Sequence, residues 1–217
     1  LNENYIIEKL KELLNQENNY GNNKSGNNKK INIEFVSANP TGPIHVAHMR
    51  GAVFGDVLAS ILEATGHSVI REYYVNDTGL QINILGDSLF KRYQQIFGIK
   101  IDISPDEYPG KYLLEIAKKI ADLDKDKWLK EQKSKRKKYF EKFAIFEIIK
   151  GIKFDLKSID INFDKFTYES KIVEKKVIEK VFSLLNEKNL LYEGILKKPK
   201  GDNYSDWEPR KQLLFKS

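Results

Sequence analysis

The stretch NPTGPIHVAH, residues 39–48, places two of the chain's three histidines directly behind a Pro-Thr-Gly-Pro turn. His45 and His48, at i and i+3, share one face of a first helical turn. Unpaired backbone N–H groups and the positive end of the helix dipole make that position attractive to an anion. Imidazoles there can donate hydrogen bonds to phosphate oxygens as charge develops at phosphorus, an electrostatic role that needs no covalent intermediate. Other chemistries fit less well. A zinc site needs a third ligand, no HExxH pattern occurs, and Asp56 follows eight residues later without clear convergence, so no resident metal is expected. Core histidines would lie on the apolar stripe of the helix, and these two do not. Neither GxGxxG nor GxxxxGK(S/T) occurs, which excludes a dinucleotide fingerprint and a P-loop.

Hydrophobic periodicity predicts the elements that must hold these residues. INIEFVSA, residues 31–38, alternates Ile31, Ile33 and Phe35 with Asn32, Glu34 and Val36, a strand that stops at Pro40. From His45 the period is helical, with Met49, Val53, Val57 and Ile61 four apart until Gly66 ends the helix. Gly51 and Gly55 shave one face for close approach to a sheet. SVIREYYV, 68–75, predicts a second strand, NDTG breaks it, and Ile82, Leu85, Leu89, Tyr93 and Ile96 mark a second helix. Strands joined through such a helix are parallel with a right-handed crossover, so 31–98 predicts the start of a doubly wound, Rossmann-like α/β sheet. Ligands of these sheets sit beyond the carboxyl ends of the strands, which brings Ser37–His48 and Asn76–Thr78 into one crevice. Asn76 and Asp77 serve equally well as turn and capping residues. Glu34 would bind a cation or be solvated.

An irregular connection at 98–110 leads to helices over about 111–122 and 126–152, the second with Tyr139, Phe143, Phe146 and Ile149 on one stripe. Residues 99–152 therefore read as a helical insertion. INFDKFTYES predicts another strand, followed by a helix with Val173, Val177, Val181 and Leu184 or Leu185, then LLYEG and a turn-rich tail ending at KQLLFKS without a closing strand. Residues 1–14 predict a short helix with Ile6, Ile7, Leu10, Leu13 and Leu14 on one stripe. The Asn- and Gly-rich stretch that follows reads as a flexible linker, so 1–30 is expected to be the remnant of a missing N-terminal domain and 31–217 an incomplete catalytic domain.

The absence of cysteine excludes a disulfide scaffold, a thiolate metal site and a cysteine nucleophile, and agrees with a reducing, cytoplasmic setting. No apolar run approaches the roughly 18 residues of a membrane span, and the N-terminus is acidic and amphipathic, unlike a signal peptide. A net charge of +6 with 31% charged residues permits an RNA partner without demanding one. The densest basic run, KWLKEQKSKRKKYF at 127–140, reads first as a solvated helix face.

Taken together, IEFVSANPTGPIHVAHMRGAVFGDVL at 33–58 and REYYVNDTGLQI at 71–82 resemble the class I aminoacyl-tRNA synthetases, and within them the arginyl-tRNA synthetase family. The histidine signature alone is short; joined to SANPTGP and YYVND it is specific, and the resemblance continues through YPGKYLLEIAK, FDKFTYES and WEPRKQLLFKS. It implies the first half of a Rossmann-like catalytic domain with a helical insertion, and ATP-dependent activation of L-arginine followed by transfer to tRNA(Arg). His45 and His48 would be catalytic, Thr41, Gly42, His45, Ala47 and His48 would bind ATP, and Mg2+ would travel with the ATP. Glu34, Ser37, Ala38, Asn39, His48, Asn76 and Asp77 would hold arginine, whose own carboxylate attacks the α-phosphate. Ala47 departs from the family glycine, and its methyl group would crowd the adenine. The family's KMSKS-type loop and anticodon-binding domain do not follow, and KSKRKK at 133–138 lies within the insertion and is no surrogate. The expectation is therefore a chain inactive alone, completed by a C-terminal half. The alternative is a non-catalytic synthetase piece that binds a nucleotide, tRNA or a protein.

Overall fold

A computed structural model describes residues 2–174, 177–196 and 208–216. Helix α1 (Glu3–Gln16) precedes β1 (Lys30–Glu34), α2 (Val46–Ala64), β2 (Ser68–Val75) and α3 (Leu80–Ile96). Helices α4 (Lys111–Asp124), α5 (Lys127–Lys130) and α6 (Lys133–Ser158) lead to β3 (Lys165–Tyr168). The chain continues through α7 (Glu169–Glu174), α8 (Val177–Glu187), β4 (Leu191–Gly194) and β5 (Gln212–Phe215). It divides into two compact units, Leu1–Glu169 and Ser170–Ser217.

In the first unit β1, β2 and β3 form a parallel sheet in that order, with Glu34 beside Glu72 and Val75 beside Tyr168. All three carboxyl ends therefore lie along one edge, as the alternating strands and intervening helices predict. The core joins Phe35, Tyr73 and Val75 of the sheet region to Leu85 and Leu89 of α3, Leu113 and Ile120 of α4, and Phe140, Ile152 and Leu156 of α6.

Helix α2 approaches the sheet on its smallest residues. Ala52, Gly55 and Ala59 are buried, and a Cβ at Gly55 would stand 2.2 Å from the Phe35 ring. Gly51, predicted to share that role, has nothing close to it. The large residues that betray the helical period, Val53, Phe54, Val57 and Ile61, are exposed.

The predicted helix over 126–152 is two helices, and the second runs on to Ser158. Glu131 and Gln132 break it in extended conformation, because Trp128 folds back to stack on Tyr139 at 4.0 Å. Asp124 holds both rings, accepting from Trp128 Nε1 and the Tyr139 hydroxyl at 2.7 Å each. On α6 the buried stripe is Phe140, Ala144, Ile148, Ile149, Ile152 and Leu156, whereas Phe146 is exposed. Residues 22–29, read as linker, hydrogen-bond to the end of α2: Asn23, Gly26 and Asn28 donate to Ala64, Thr65 and Gly66. The third histidine, His67, packs against Gly26 there.

In the second unit β4 and β5 pair antiparallel, Leu191 with Phe215. Gln212–Phe215 thus forms a strand that its sequence does not announce. Residues 197–207 of the predicted turn-rich tail lie outside the described residues.

A polar tie crosses the sheet. Glu72 of β2 accepts from Asn32 of β1 and from Thr167 of β3, and pairs with Lys165 at 3.1 Å. These partners, led by Thr167, lower the Glu72 carboxyl to about 2. A lowered acid contributes stability that is fully present above its unfolded value near 4.5 and disappears as pH falls towards 2. Melting temperatures measured from pH 5 to 2 should fall through that window, and Glu72→Gln should flatten the fall while lowering the melting temperature at neutral pH.

Candidate active site

Beyond Glu34 the chain leaves β1 through Val36 and Ser37, both left-handed at φ 64° and 38°. Such backbone costs a non-glycine residue about 1–2 kcal/mol and is least natural for a β-branched valine. Strand β2 supplies the anchors. The Tyr73 hydroxyl donates to Ala38 O at 2.9 Å, and the Tyr74 N–H donates to Ser37 Oγ at 3.0 Å. Each bond contributes about 1 kcal/mol, and burying the Phe35 ring beside the bend adds roughly 1.5–3 kcal/mol, which together offset the strain. Burial pushes the Tyr73 hydroxyl up, so it remains a donor across the ordinary pH range.

The turn that follows is braced from two sides. Thr41 N–H donates to Asn39 O at 2.7 Å, and the Tyr112 hydroxyl of α4 donates to Thr41 O. Gly42 lies against that tyrosine, where a Cβ would stand 3.3 Å from the hydroxyl oxygen. Asn39 Nδ2 donates to Gln81 Oε1 at 3.1 Å, which ties the loop to the first turn of α3.

His45 caps α2 and His48 is its third helical residue. The rings stack with centroids 3.9 Å apart at 27°. The His45 backbone N–H donates to His48 Nδ1 at 3.3 Å. Because Nδ1 accepts, the neutral ring carries its hydrogen on Nε2, which leaves Nε2–H as a donor for a ligand. Burial, and then the neighbouring His45, hold His48 below the usual histidine range, so it is neutral at pH 7. Ala47, between the two, is exposed on the same first turn.

Three carboxylates gather at the strand ends. Burial pushes the Tyr74 hydroxyl up, and the negative fields of Glu169, Asp77 and Glu34 add to the effect. Asp77 acts on Tyr168 in the same way. Thr78 Oγ1 donates to Glu169 Oε2 at 2.9 Å, joining the ends of β2 and β3. Among the described residues no group of three His, Cys, Asp or Glu is placed to hold a metal ion. The negative fields of the three carboxylates reach Tyr74, and that of Asp77 reaches Tyr168 as well.

The sequence-predicted residues thus fall into neighbouring groups. Thr41, Gly42, His45, Ala47 and His48 occupy the turn and the start of α2; Ser37, Ala38 and Asn39 form the anchored loop before them; Glu34 and Asp77 surround Tyr74. Asn76 is half-buried at the end of β2. Sequence reasoning missed Gln81 and Glu169. For Glu169 the signal was present: the strand-end rule, applied to the third predicted strand, points to the residue directly after Tyr168.

Residues 9–106 match the family model for the catalytic domain of class I tRNA synthetases (R). Arginine–tRNA ligase of Orientia tsutsugamushi strain Boryong is 48% identical over 193 residues, 88% of this chain and 33% of the relative. The ligase of Magnetococcus marinus is 43% identical over 209 residues, 95% of this chain and 36% of the relative. The chain therefore spans about a third of the length of the curated relatives it matches. A solved structure described as an arginyl tRNA synthetase from Campylobacter jejuni superposes with a TM-score of 0.79 at 28% identity, covering 89% of this chain and 42% of that one. The parallel sheet and the paired histidines at the start of α2 belong to a class I aminoacyl-tRNA synthetase catalytic domain. Within that class, the chain belongs to the arginyl-tRNA synthetase family.

The stacked pair has a titration signature. By NMR, His48 should titrate below about 6.5, the free histidine value. His45→Asn removes one of the two causes and should raise the His48 midpoint, with burial still holding it below that value.

Proposed function

We propose that these residues serve the ATP-dependent activation of L-arginine to arginyl-adenylate and its transfer to tRNA(Arg), a reaction of cytoplasmic protein synthesis. The observation that carries the reading is the stacked histidine pair at the N-terminus of α2, in which His48 Nδ1 accepts from the His45 N–H and so leaves Nε2 to face a ligand. ATP, accompanied by Mg2+, lies along that terminus with its phosphates toward the imidazoles and its adenine near Ala47. The N–H dipoles and His48 Nε2–H stabilise the charge that develops at the α-phosphate. Arginine lies between the anchored loop and the carboxylates: Ser37, Ala38, Asn39 and Asn76 hold its amino and carboxylate ends, and Glu34 and Asp77 face its positive charge. No protein nucleophile is required, because the arginine carboxylate is the attacking group.

Calorimetric titration tests both halves of the site. Replacing His45 and His48 together by Asn should weaken MgATP at least tenfold, and unchanged affinity would contradict the assignment. Glu34→Gln should weaken arginine while leaving ATP within twofold. Ala47→Gly should tighten ATP by removing the exposed methyl group.

That methyl also favours a second reading, a piece that binds without catalysing. Arginine-dependent exchange of pyrophosphate into ATP in the presence of tRNA, measured with the chain alone and with a complementary C-terminal half supplied, separates the two: binding without exchange in both supports the second reading.

A further inference from the structure

A lysine-and-aromatic strip follows α6 and β3. Lys150, Lys153 and Lys157 recur at i, i+3 and i+7, which puts them on one helix face over about 10 Å. Phe146, 63% exposed, precedes Lys150 by one turn on the same face. Opposite them stand Phe166 and Tyr168 of β3, which has no strand partner on its outer side among the described residues. Lys153 Nζ lies 4.0 Å from the Phe166 ring centroid. Two adjoining hollows result, one of about 550 Å3 lined by Lys153, Lys157, Asn162, Phe163 and Phe166 among others, the other of about 250 Å3 lined by Phe146, Lys150, Lys153 and Tyr168.

The lysines of this strip are not neutralised by ion pairs with the described residues. Among the described residues none of the three lysines is in an ion pair, whereas in the denser run at 133–138 Lys135 pairs with Glu131 and Lys137 with Glu141. Asp164 is the carboxylate of the larger hollow, and its Oδ2 already accepts from the Arg71 N–H at 2.7 Å. A row of free cations beside aromatic faces matches a backbone of phosphates with unstacked bases. An acidic peptide would use the lysines and leave the rings idle.

We propose that this strip binds single-stranded RNA, with phosphates on Lys150, Lys153 and Lys157 and bases against Phe146 and Tyr168. Tyr168 stands directly before Glu169, so the strip ends at the candidate active site. The proposal deepens the synthetase reading by giving its RNA partner a place.

The test is fluorescence anisotropy of a labelled single-stranded RNA octamer with the full chain, without ATP or arginine. Its failure therefore leaves the adenylate reading standing, and the loss of ATP binding leaves this one standing. Joint replacement of Lys150, Lys153 and Lys157 by Ala should weaken binding at least tenfold and lower the salt-dependence slope by about 2, at roughly 0.7 per phosphate contact. Phe146→Ala, on an exposed ring, should weaken binding about fivefold or more with the slope unchanged. Replacing Lys133, Lys135 and Lys138 by Ala should change affinity less than twofold. The proposal is overturned by no binding, by equal loss in both lysine variants, or by a polyglutamate peptide of matched charge that binds as tightly. Thermal melts of each variant, expected to match the parent, confirm that the loss is local.

Discussion

The hydrogen bond from the buried Tyr73 hydroxyl to Ala38 O is the constraint on which the site depends. A parallel strand hands its chain to a helix only after a turn, and here the turn begins with two residues in left-handed backbone. Without an anchor the bend would relax toward the extended conformation that valine prefers. With it, the loop is pinned to β2, the Pro-Thr-Gly-Pro turn is braced by Tyr112, and α2 starts where its first N–H groups face the crevice. The same tyrosine stacks on Phe166 and meets Phe163 edge-on, so the third strand is packed around the anchor as well.

Two electrostatic regions then stand beside each other. One is a helix start with a neutral, donor-bearing imidazole; the other is a set of carboxylates around Tyr74. An ionised His48 would weaken the division, because it would face a second imidazole at stacking distance and give up the reach-back to the His45 N–H. Burial keeps it neutral, and one arrangement thus serves both tautomer and charge. The loop between the regions supplies uncharged hydrogen-bonding groups, as a ligand with phosphate at one end and a cation at the other would require.

Much of this architecture was legible because it rests on local periodicity. The β1 and β2 alternation, the α2 and α3 spacings and the strand-end rule together located the crevice. Three features escaped, wholly or in part, for physical reasons. The break between α5 and α6 falls on Glu131 and Gln132, both good helix formers, and is imposed by Trp128 packing that no local signal encodes. The close face of α2 was legible in part, at Gly55 but not at Ala52 and Ala59, because periodicity highlights the larger residues on the opposite side. Strand β5 pairs with β4, the element before it, across the connection from Gly194 to Gln212, and an apolar run as short as Leu213–Phe215 carries no record of its partner. The left-handed Val36 is the clearest case: its type argues for strand, and only Tyr73 and Tyr74 explain why it bends.

The central claim is that the start of α2 is a phosphate site whose donors are backbone N–H groups and His48 Nε2–H. Chemical-shift mapping of the isotope-labelled chain with MgATP tests it most directly. The account predicts that the largest changes fall on the amides of Val46, Ala47 and His48, and on the His48 Nε2 resonance. Changes confined to residues outside 39–48, or none at saturating MgATP, would contradict it.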